Sequence, residues 1–123
     1  KNSFTCILCV TLVYGECDPH LKETLPELNG WPTAKRIQMV HSADIAQAVR
    51  LSISQKATGI YNVTDDAPIT ISELRQLHNV PDTPNEHISD LWEMVVSNMK
   101  IRERLGFRPI YPTFYSARDA GAL

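Results

Sequence analysis

The chain has 123 residues, of which 43% are hydrophobic and 21% charged, and its formal net charge is −2. This length is that of one modest domain with a core of its own, and we expect residues 1–123 to form a single domain. The composition argues against disorder and against a membrane protein. The small negative charge gives no general attraction to nucleic acid or anionic lipid, so neither is expected as a partner.

The most apolar stretch, residues 4–14, predicts a central β-strand. Its hydrophobicity is nearly continuous, as expected of a strand covered on both faces, and Gly15 ends it. Its length of about eleven residues falls well short of the ~20 needed to span a bilayer. A central strand needs neighbours on both sides, and the chain offers few further strands to supply them.

Three cysteines lie in or near this strand: Cys6, Cys9 and Cys17. Cys6 and Cys9 have a CxxC spacing, but in a strand they would point to opposite faces because the side-chain period is two. A zinc ribbon would need a second pair, which the sequence lacks. We therefore predict reduced, mostly buried thiols in a cytoplasmic protein and assign no metal ligands.

The middle of the chain predicts an irregular connection, a strand and a helix. Residues 16–32 contain three prolines and Gly30, so only a short helix around residues 20–28 is expected there. Residues 36–40 read as a strand. A helix follows with Ser42 as N-cap and Asp44 near the positive end of its dipole. Its predicted buried stripe consists of Ile45, Ala48, Val49, Ser52 and Ile53.

Residues 59–74 carry the clearest local secondary-structure signals and predict a strand, a turn and a helix. The strand opens at Gly59, and Thr70 with Glu73 forms a capping box that starts the helix, with Ile69 and Leu74 as hydrophobic staple. Ligands of open α/β sheets gather at the carboxyl ends of strands, which makes the end of this strand a candidate rim. The alternative is that its aspartates only form and solubilise a turn. The rim candidates are Tyr61, Asn62, Asp65 and Asp66.

The last third of the chain predicts a loop and two helices. Residues 79–90 are polar and turn-rich, with His78 and His87 as solvent-exposed histidines, and residues 91–96 fit a short edge strand or a helical turn. Ser97 is expected to cap a helix that Gly106 ends, with Val96 and Ile101 as its staple. An extended tail at 107–114 and a short terminal helix at 115–123 complete the chain.

Five segments occur in an order that resembles the carboxyl-terminal half of extended and atypical short-chain dehydrogenase/reductases, the NAD(P)-dependent epimerase/dehydratase family. They are Val-Tyr-Gly at 13–15, Val-His-Ser-Ala-Asp-Ile-Ala at 40–46, Gly-Ile-Tyr-Asn-Val at 59–63, Ser-Asn-Met-Lys at 97–100 with Leu-Gly-Phe-Arg-Pro at 105–109, and Tyr-Pro-Thr-Phe at 111–114. The resemblance implies an α/β fold: a partial Rossmann-like parallel sheet with helices, plus a small substrate-binding α/β subdomain. The family pattern has an arginine four residues before the first segment, where this chain has Cys9. It has a proline directly after the segment, where this chain has Glu16.

The family's cofactor and catalytic motifs are absent. No GxxGxxG cluster exists to cradle a pyrophosphate. The family's catalytic pair is a tyrosine four residues before a lysine, whereas the four tyrosines here are followed at that spacing by Asp18, Asp65, Tyr115 and Asp119. With Lys1 in place of an initial Met, this suggests a piece of a larger protein whose cofactor-binding amino-terminal half is absent. The chain alone is then expected to bind neither NAD nor NADP.

The resemblance implies a substrate-binding part of an NAD(P)-dependent epimerase, dehydratase or reductase acting on a nucleotide sugar or similar compound, not catalytically complete alone. The alternative is a non-catalytic, homo-oligomeric interaction module derived from such an enzyme. An independent hydrolase or transferase has little support, since GxSxG and HExxH are absent. No catalytic residue is assigned. The candidate substrate-binding residues are Tyr14, Arg36, Asn62 and Asp65, of which Arg36 can grip a phosphate or carboxylate in a bidentate fork.

Overall fold

A computed structural model of the chain describes residues 5–28, 33–79 and 92–123, with the backbone alone at residues 27 and 28. The predictions made for Phe4, Gly30 and Pro32, and for the loop containing His87, lie outside these segments. The described strands are β1 (Cys6–Val10), β2 (Leu12–Tyr14), β3 (Arg36–Ile37), β4 (Met39–His41), β5 (Gly59–Val63) and β6 (Ile69–Thr70). The helices are α1 (His20–Thr24), followed by a 3₁₀ turn at Leu25–Leu28, α2 (Ser42–Ser54), α3 (Ile71–Leu77), α4 (Met99–Leu105) and α5 (Phe114–Asp119).

The predicted first strand changes its partner midway. β1 pairs with β5 in parallel, and β2 pairs with β4 in parallel, while β3 and β6 form a separate antiparallel pair. The Asp65 amide donates to the Met39 carbonyl at 2.9 Å, so β4 lies between β2 and the residues that follow β5. The prediction of one continuous strand over residues 4–14 is therefore wrong, because residues 12–14 pair with β4, whereas residues 6–10 pair with β5. The mixed α/β fold is confirmed.

Two hydrophobic clusters lie on opposite faces of the parallel strands, and the short strand β4 contributes to both. Met39 packs into the first and Val40 into the second, as the two-residue period of a strand requires. The Tyr14 cluster comprises Tyr14, Leu21, Leu25, Ile37, Met39, Ile69, Ile71, Leu74, Phe114, Ala117 and Ala122. The Val40 cluster comprises Val40, Ala48, Ala57, Tyr61, Val63, Ile101, Leu105 and Phe107.

Side-chain alternation along the first strand shifts by one residue at Thr11. Cys6 and Leu8 of β1 pack against the Val40 cluster, yet in β2 it is the odd-numbered Val13 that does so. Tyr14 consequently points to the opposite face, into the Tyr14 cluster. A one-residue slip exchanges the two faces of a strand, as a bulge does. The Thr11 hydroxyl donates to the Thr64 hydroxyl at 3.0 Å across this joint.

One face of the β1–β5 pair is exposed, contrary to the expectation that the first strand is covered on both faces. Ile7 and Ile60 are paired in register, and their exposed fractions are 49% and 56%. Cys9 beside them is exposed too, and so is Cys17, whereas Cys6 is half-buried on the other face. The cysteines are free, but the prediction that they are mostly buried is wrong. The opposite orientations of Cys6 and Cys9 are confirmed.

Helix α2 begins one residue earlier than its sequence suggests. Its N-cap is His41 and not Ser42, because the ring Nδ1 of His41 accepts a hydrogen bond from the Ala43 amide at 3.0 Å. The predicted buried stripe is also wrong at two positions, since the exposed fractions of Val49 and Ile53 are 42% and 73%. Periodicity identified the apolar side of the helix correctly, but the described residues do not cover all of it.

The other helix ends follow local signals. Thr70 and Glu73 form the predicted capping box of α3, and Gly106 ends α4 with a φ of 74°. The N-cap of α4 is Asn98 and not Ser97, although the Ser97 hydroxyl still accepts from the Met99 amide at 3.1 Å. Residues 92–93 form a turn, and Met94 makes a single bridge to Ile37. In the described part of the chain, no helix has both the length and the apolar content to cross a bilayer.

Candidate functional site

A cavity of about 510 Å³ opens at the carboxyl end of β2. This volume lies in the range of small-molecule sites, and the end of a parallel strand is where ligands of open α/β sheets bind. Its walls come from the end of β2, from α1, from the end of α3 and from α5 with the tail that follows. The lining residues are Tyr14, Gly15, Cys17, Asp18, Pro19, Leu21, Lys22, Leu77, His78, Phe114, Arg118 and Leu123.

Gly15, which lines the cavity, lies close to the Ser42 side chain. A Cβ added at Gly15 would lie 2.3 Å from the Ser42 Oγ and 3.2 Å from the Ser42 Cβ, so a larger residue fits there only if the Ser42 side chain shifts. The chain leaves β2 at this point, and Gly15, Cys17 and Asp18 line the cavity in turn. From there Asp18 leads into α1, and its carboxylate accepts from the His20 amide at 2.9 Å.

The wall formed by the carboxyl-terminal residues is anchored to α2. Asp44 is fully buried, and its carboxylate accepts hydrogen bonds from the Ile110 amide at 2.6 Å and from the Tyr111 amide at 3.1 Å. The His41 Nε2 lies 2.8 Å from the Ala122 carbonyl oxygen. Since the His41 Nδ1 accepts from the Ala43 amide, Nε2 carries the ring hydrogen and donates a hydrogen bond to the Ala122 carbonyl oxygen. One ring thus caps α2 and holds the tail that contributes Leu123 to the cavity.

Cationic and polar groups sit on an otherwise apolar lining. Lys22 of α1 and Arg118 of α5 are both exposed at the cavity. The Arg118 guanidinium also pairs with Asp119 at 3.0 Å and lies over the Tyr115 ring at 5.2 Å from its centroid. His78 was predicted to be solvent-exposed but is half-buried, with its Nδ1 3.0 Å from the Leu74 carbonyl oxygen. Together these groups can bind an anionic ligand that also has an apolar or ring surface.

Of the four predicted site residues, Tyr14 alone lines the cavity. Its ring packs edge-on against His41 and Phe114, with centroid distances of 5.2 and 4.9 Å. Burial, together with the nearby charges of Asp65 and Asp44, raises the pKa of the Tyr14 hydroxyl well above its usual value. The hydroxyl is therefore protonated at neutral pH, and it has no hydrogen-bond partner within the described segments. Its assignment to substrate binding remains a prediction.

Asp65 is buried and does not form an exposed rim. Its exposed fraction is 2%. Burial raises the pKa of Asp65 to about 8, although hydrogen bonds from the Ala67 amide and the Gln38 side chain favour the carboxylate. The Gln38 Nε2 lies 3.3 Å from Oδ1, while Oδ2 has no partner in the described residues. Tyr61, another rim candidate, is also buried, with its hydroxyl donating to the Thr58 carbonyl at 3.0 Å.

Arg36 and Asn62 lie away from the cavity. The Arg36 guanidinium stacks over the Trp92 ring at 4.5 Å from its centroid. The hydrogen bond from the Tyr115 hydroxyl is the main cause that lowers the pKa of Glu73, and Arg36 adds a smaller contribution in the same direction. Asn62 is exposed on the bare face of β5. The structure thus does not bring the four predicted residues together, and the roles of Arg36 and Asn62 stay predictions.

Sequence reasoning missed most of the cavity. Lys22 and Arg118 lie on α1 and α5, and His78 directly follows α3, so the three are far apart in the chain and none of them lies in a motif. One weak signal could have indicated Lys22. A short helix that follows a strand directly, as α1 follows β2, lies near the carboxyl end of that strand. Within the described segments, no group of three metal-ligating side chains is present.

The arrangement defines a class of protein: an α/β fold of Rossmann type with a ligand-sized cavity at the carboxyl end of a parallel strand. No protein-family model and no curated protein matches the sequence. Solved structures do match it. UDP-N-acetylglucosamine 4-epimerase from Bacillus cereus superimposes with a TM-score of 0.61 at 17% identity, over 95% of this chain and 42% of that one.

Two further nucleotide-sugar enzymes superimpose in the same way. DesIV, a dTDP-glucose 4,6-dehydratase from Streptomyces venezuelae whose structure contains NAD and TYD, gives a TM-score of 0.58 at 19% identity, over 93% of this chain and 44% of that one. UDP-glucose 4-epimerase from Thermus thermophilus gives 0.56 at 26% identity, over 85% and 41%. The chain spans less than half the length of these proteins. The resemblance to a carboxyl-terminal portion of the epimerase/dehydratase family is confirmed at the level of the fold.

Proposed function

We propose that this chain is the substrate-binding part of an NAD(P)-dependent epimerase, dehydratase or reductase that acts on a nucleotide sugar or a similar compound. The observation that carries the proposal is the cavity at the end of β2, with Lys22 and Arg118 at its opening. The fold shared with UDP- and dTDP-sugar enzymes supports the same ligand class. Nicotinamide binding and proton transfer would come from protein outside these residues, since the sequence has neither GxxGxxG nor Tyr-x-x-x-Lys.

The lining suits the two ends of such a ligand. A diphosphate needs cationic donors, which Lys22 and Arg118 supply at the exposed mouth. A base or sugar ring needs an apolar surface, which Leu21, Leu77 and Phe114 supply deeper in. Tyr14 and His78 add ring edges and polar atoms, which would fix the orientation of the bound ligand.

Calorimetric titration of the full gene product with UDP, dTDP and UDP-N-acetylglucosamine tests this proposal. We expect the double variant Lys22→Ala/Arg118→Ala to weaken binding by about tenfold or more, since losing one charge-assisted hydrogen bond costs at least ~1.4 kcal/mol. The matched control is Arg50→Ala/Arg104→Ala, which removes two exposed cations outside the cavity and should change binding by less than about twofold. No binding of any of the three ligands, or equal losses in both double variants, would refute the proposal.

A second titration concerns the cofactor. The 123-residue chain should bind NADH and NADPH only weakly, because it has no glycine-rich turn to receive a pyrophosphate. A dissociation constant in the low micromolar range for either nucleotide would contradict the division of labour proposed here.

A non-catalytic, homo-oligomeric module is the second candidate, and the exposed face that carries Ile7 and Ile60 favours it. Light scattering distinguishes the two. A monodisperse homodimer that binds no nucleotide sugar supports the module, whereas a species that binds nucleotide sugar supports the enzyme part.

A further inference from the structure

His78 is a polar group with a fixed orientation in the wall of the candidate substrate cavity. It directly follows α3, and its backbone amide donates to the Arg75 carbonyl at 3.1 Å. Its ring is held by the same helix, because Nδ1 lies 3.0 Å from the Leu74 carbonyl oxygen. The ring also lies beside that of Phe114, with 5.9 Å between the ring centroids. These contacts orient the imidazole without the help of a ligand.

The hydrogen bond to Leu74 determines which nitrogen of the His78 ring carries the hydrogen. A carbonyl oxygen can only accept, so Nδ1 is the donor and the neutral ring has no hydrogen on Nε2. His41 has the opposite arrangement, in which Nδ1 accepts and Nε2 donates. Within the described segments no hydrogen bond reaches Nε2 of His78, and this nitrogen is not one of the buried polar atoms that lack a partner. The neutral ring therefore presents an accessible acceptor at the cavity.

Few other side chains of the described lining can accept a hydrogen bond from a ligand. Lys22 and Arg118 only donate, and the hydroxyl oxygen of Tyr14 is buried. The Asp18 carboxylate can accept, but its negative charge opposes an anionic ligand, and it already accepts from a backbone amide of α1. Among the side chains of the described lining, Nε2 of His78 is thus the strong uncharged acceptor that a ligand can reach.

The neighbours of His78 indicate which part of a ligand meets this acceptor. Leu77 precedes it in the lining and Phe114 packs against its ring, so the surface beside it is apolar. A flat heterocycle suits such a surface better than a charged diphosphate does. Uracil and thymine carry a ring N–H between two carbonyl groups, and this N–H can donate to Nε2. Cytosine has an unprotonated nitrogen at the same ring position, whose lone pair would face that of Nε2.

We propose that His78 determines the base specificity of the cavity, with its Nε2 accepting a hydrogen bond from the ring N–H of a uracil or thymine base. The inference rests on the proposed function, which supplies a nucleotide sugar as the ligand. A site that hydrogen-bonds an N–H group discriminates against an analogue that lacks it, because the polar group of the site is then left unpaired. The cavity therefore binds uridine and thymidine nucleotides in preference to cytidine nucleotides.

Calorimetric titration of the full gene product with UDP and CDP tests the inference, in a mildly alkaline buffer that keeps imidazole rings neutral. The two ligands differ only in the base. We expect the wild type to bind UDP at least about tenfold more tightly than CDP. His78→Phe keeps an aromatic ring beside Phe114 but removes the acceptor. It should weaken UDP binding by about tenfold and change CDP binding by less than about twofold.

Two control variants separate base recognition from general effects. His20→Phe replaces an exposed histidine outside the lining and should change neither affinity. Arg118→Ala removes a cation at the mouth and should weaken UDP and CDP by the same factor, so that the preference for UDP remains. Equal affinities of the wild type for UDP and CDP, or a preference that persists in His78→Phe, would overturn the inference. An effect of His78→Phe on UDP-N-acetylglucosamine but not on UDP would also overturn it, because His78 would then bind the sugar.

Nitrogen NMR of the histidine-labelled wild type keeps the inference testable if His78→Phe does not fold. The His78 signals are identified by their contacts with the Phe114 ring protons. We expect a hydrogen on Nδ1, none on Nε2, and a shift of the Nε2 signal when UDP is added. A hydrogen on Nε2 of the free, neutral ring, or an Nε2 signal that UDP leaves unchanged, would contradict the proposed hydrogen bond.

The same titrations distinguish this inference from the proposed function. If UDP and CDP bind equally well, the proposed function stands and the base recognition by His78 fails. If no nucleotide binds, the proposed function fails and the inference fails with it.

Discussion

Replacing Asp65 by asparagine should stabilise the protein, and the gain should depend on pH. Burial raises the pKa of Asp65 to about 8 in the folded state, against an ordinary value of 3.8. The folded protein therefore holds a proton that the unfolded chain releases, and stability falls as pH rises from about 4 to about 8. Below this window the Asp65 carboxyl is protonated in both states, so its ionisation does not oppose folding. Above the window it is ionised in both states, and the loss of stability has reached its full size.

The magnitude follows from the size of the shift. At pH 7 the gap between pH and the unfolded pKa is about 3 units, and each unit corresponds to about 1.36 kcal/mol, so ionisation opposes folding by up to about 4 kcal/mol. Asparagine carries no charge and can still accept from Gln38 through its side-chain oxygen. Asp65→Asn should recover most of that amount at pH 7 and almost none at pH 4.

Urea unfolding followed by tryptophan fluorescence between pH 4 and pH 9 measures this difference. The matched control is Asp66→Asn, which removes a neighbouring, exposed carboxylate that pairs with Arg102 at 2.8 Å. The control should lose up to about 1 kcal/mol, because exposed ion pairs contribute little. A constant difference between wild type and Asp65→Asn across the whole pH range would refute the reasoning.

Three further substitutions test other contacts by the same unfolding assay. Asp44→Ala should cost about 3 kcal/mol because it leaves the part-buried Ile110 and Tyr111 amides without their acceptor, and Asp44→Asn should cost less; equal losses would contradict this. Gly15→Ala should cost about 1–3 kcal/mol by collision with Ser42, and adding Ser42→Ala should recover part of the loss. Thr70→Ala should cost about 1 kcal/mol through the lost capping box, and an unchanged midpoint would argue against that cap.

Features that depend on a few neighbouring residues could be predicted from the sequence. The capping box of α3 needs only Thr70 and Glu73, and the end of α4 needs only Gly106 in a left-handed conformation. The strand β5 also follows from a short β-branched and aromatic run after Gly59. In these places local preference and tertiary structure agree.

Features that depend on distant residues could not be predicted. His41 is an unusual N-cap, and its ring is oriented by the Ala122 carbonyl at the other end of the chain. Asp65 reads as an ordinary turn residue, and its burial arises from the elements that pack around it. The apolar periodicity of α2 predicts a buried Ile53, but burial depends on which elements pack against the helix, and the described residues leave Ile53 exposed. The candidate cavity was missed for the same reason, since its cations lie on separate helices.

The shift of alternation at Thr11 makes the residue count between the two halves of the first strand critical. Deleting Thr11 would restore a regular zigzag and leave Val13 and Tyr14 on their present faces, because the strand would lose its one extra residue. Inserting a further residue beside Thr11 would instead exchange the two faces, sending the Tyr14 ring into the space beside α2 and the Val13 side chain toward the cavity. A single-residue insertion in this short linker should therefore be far less tolerated than the deletion of Thr11.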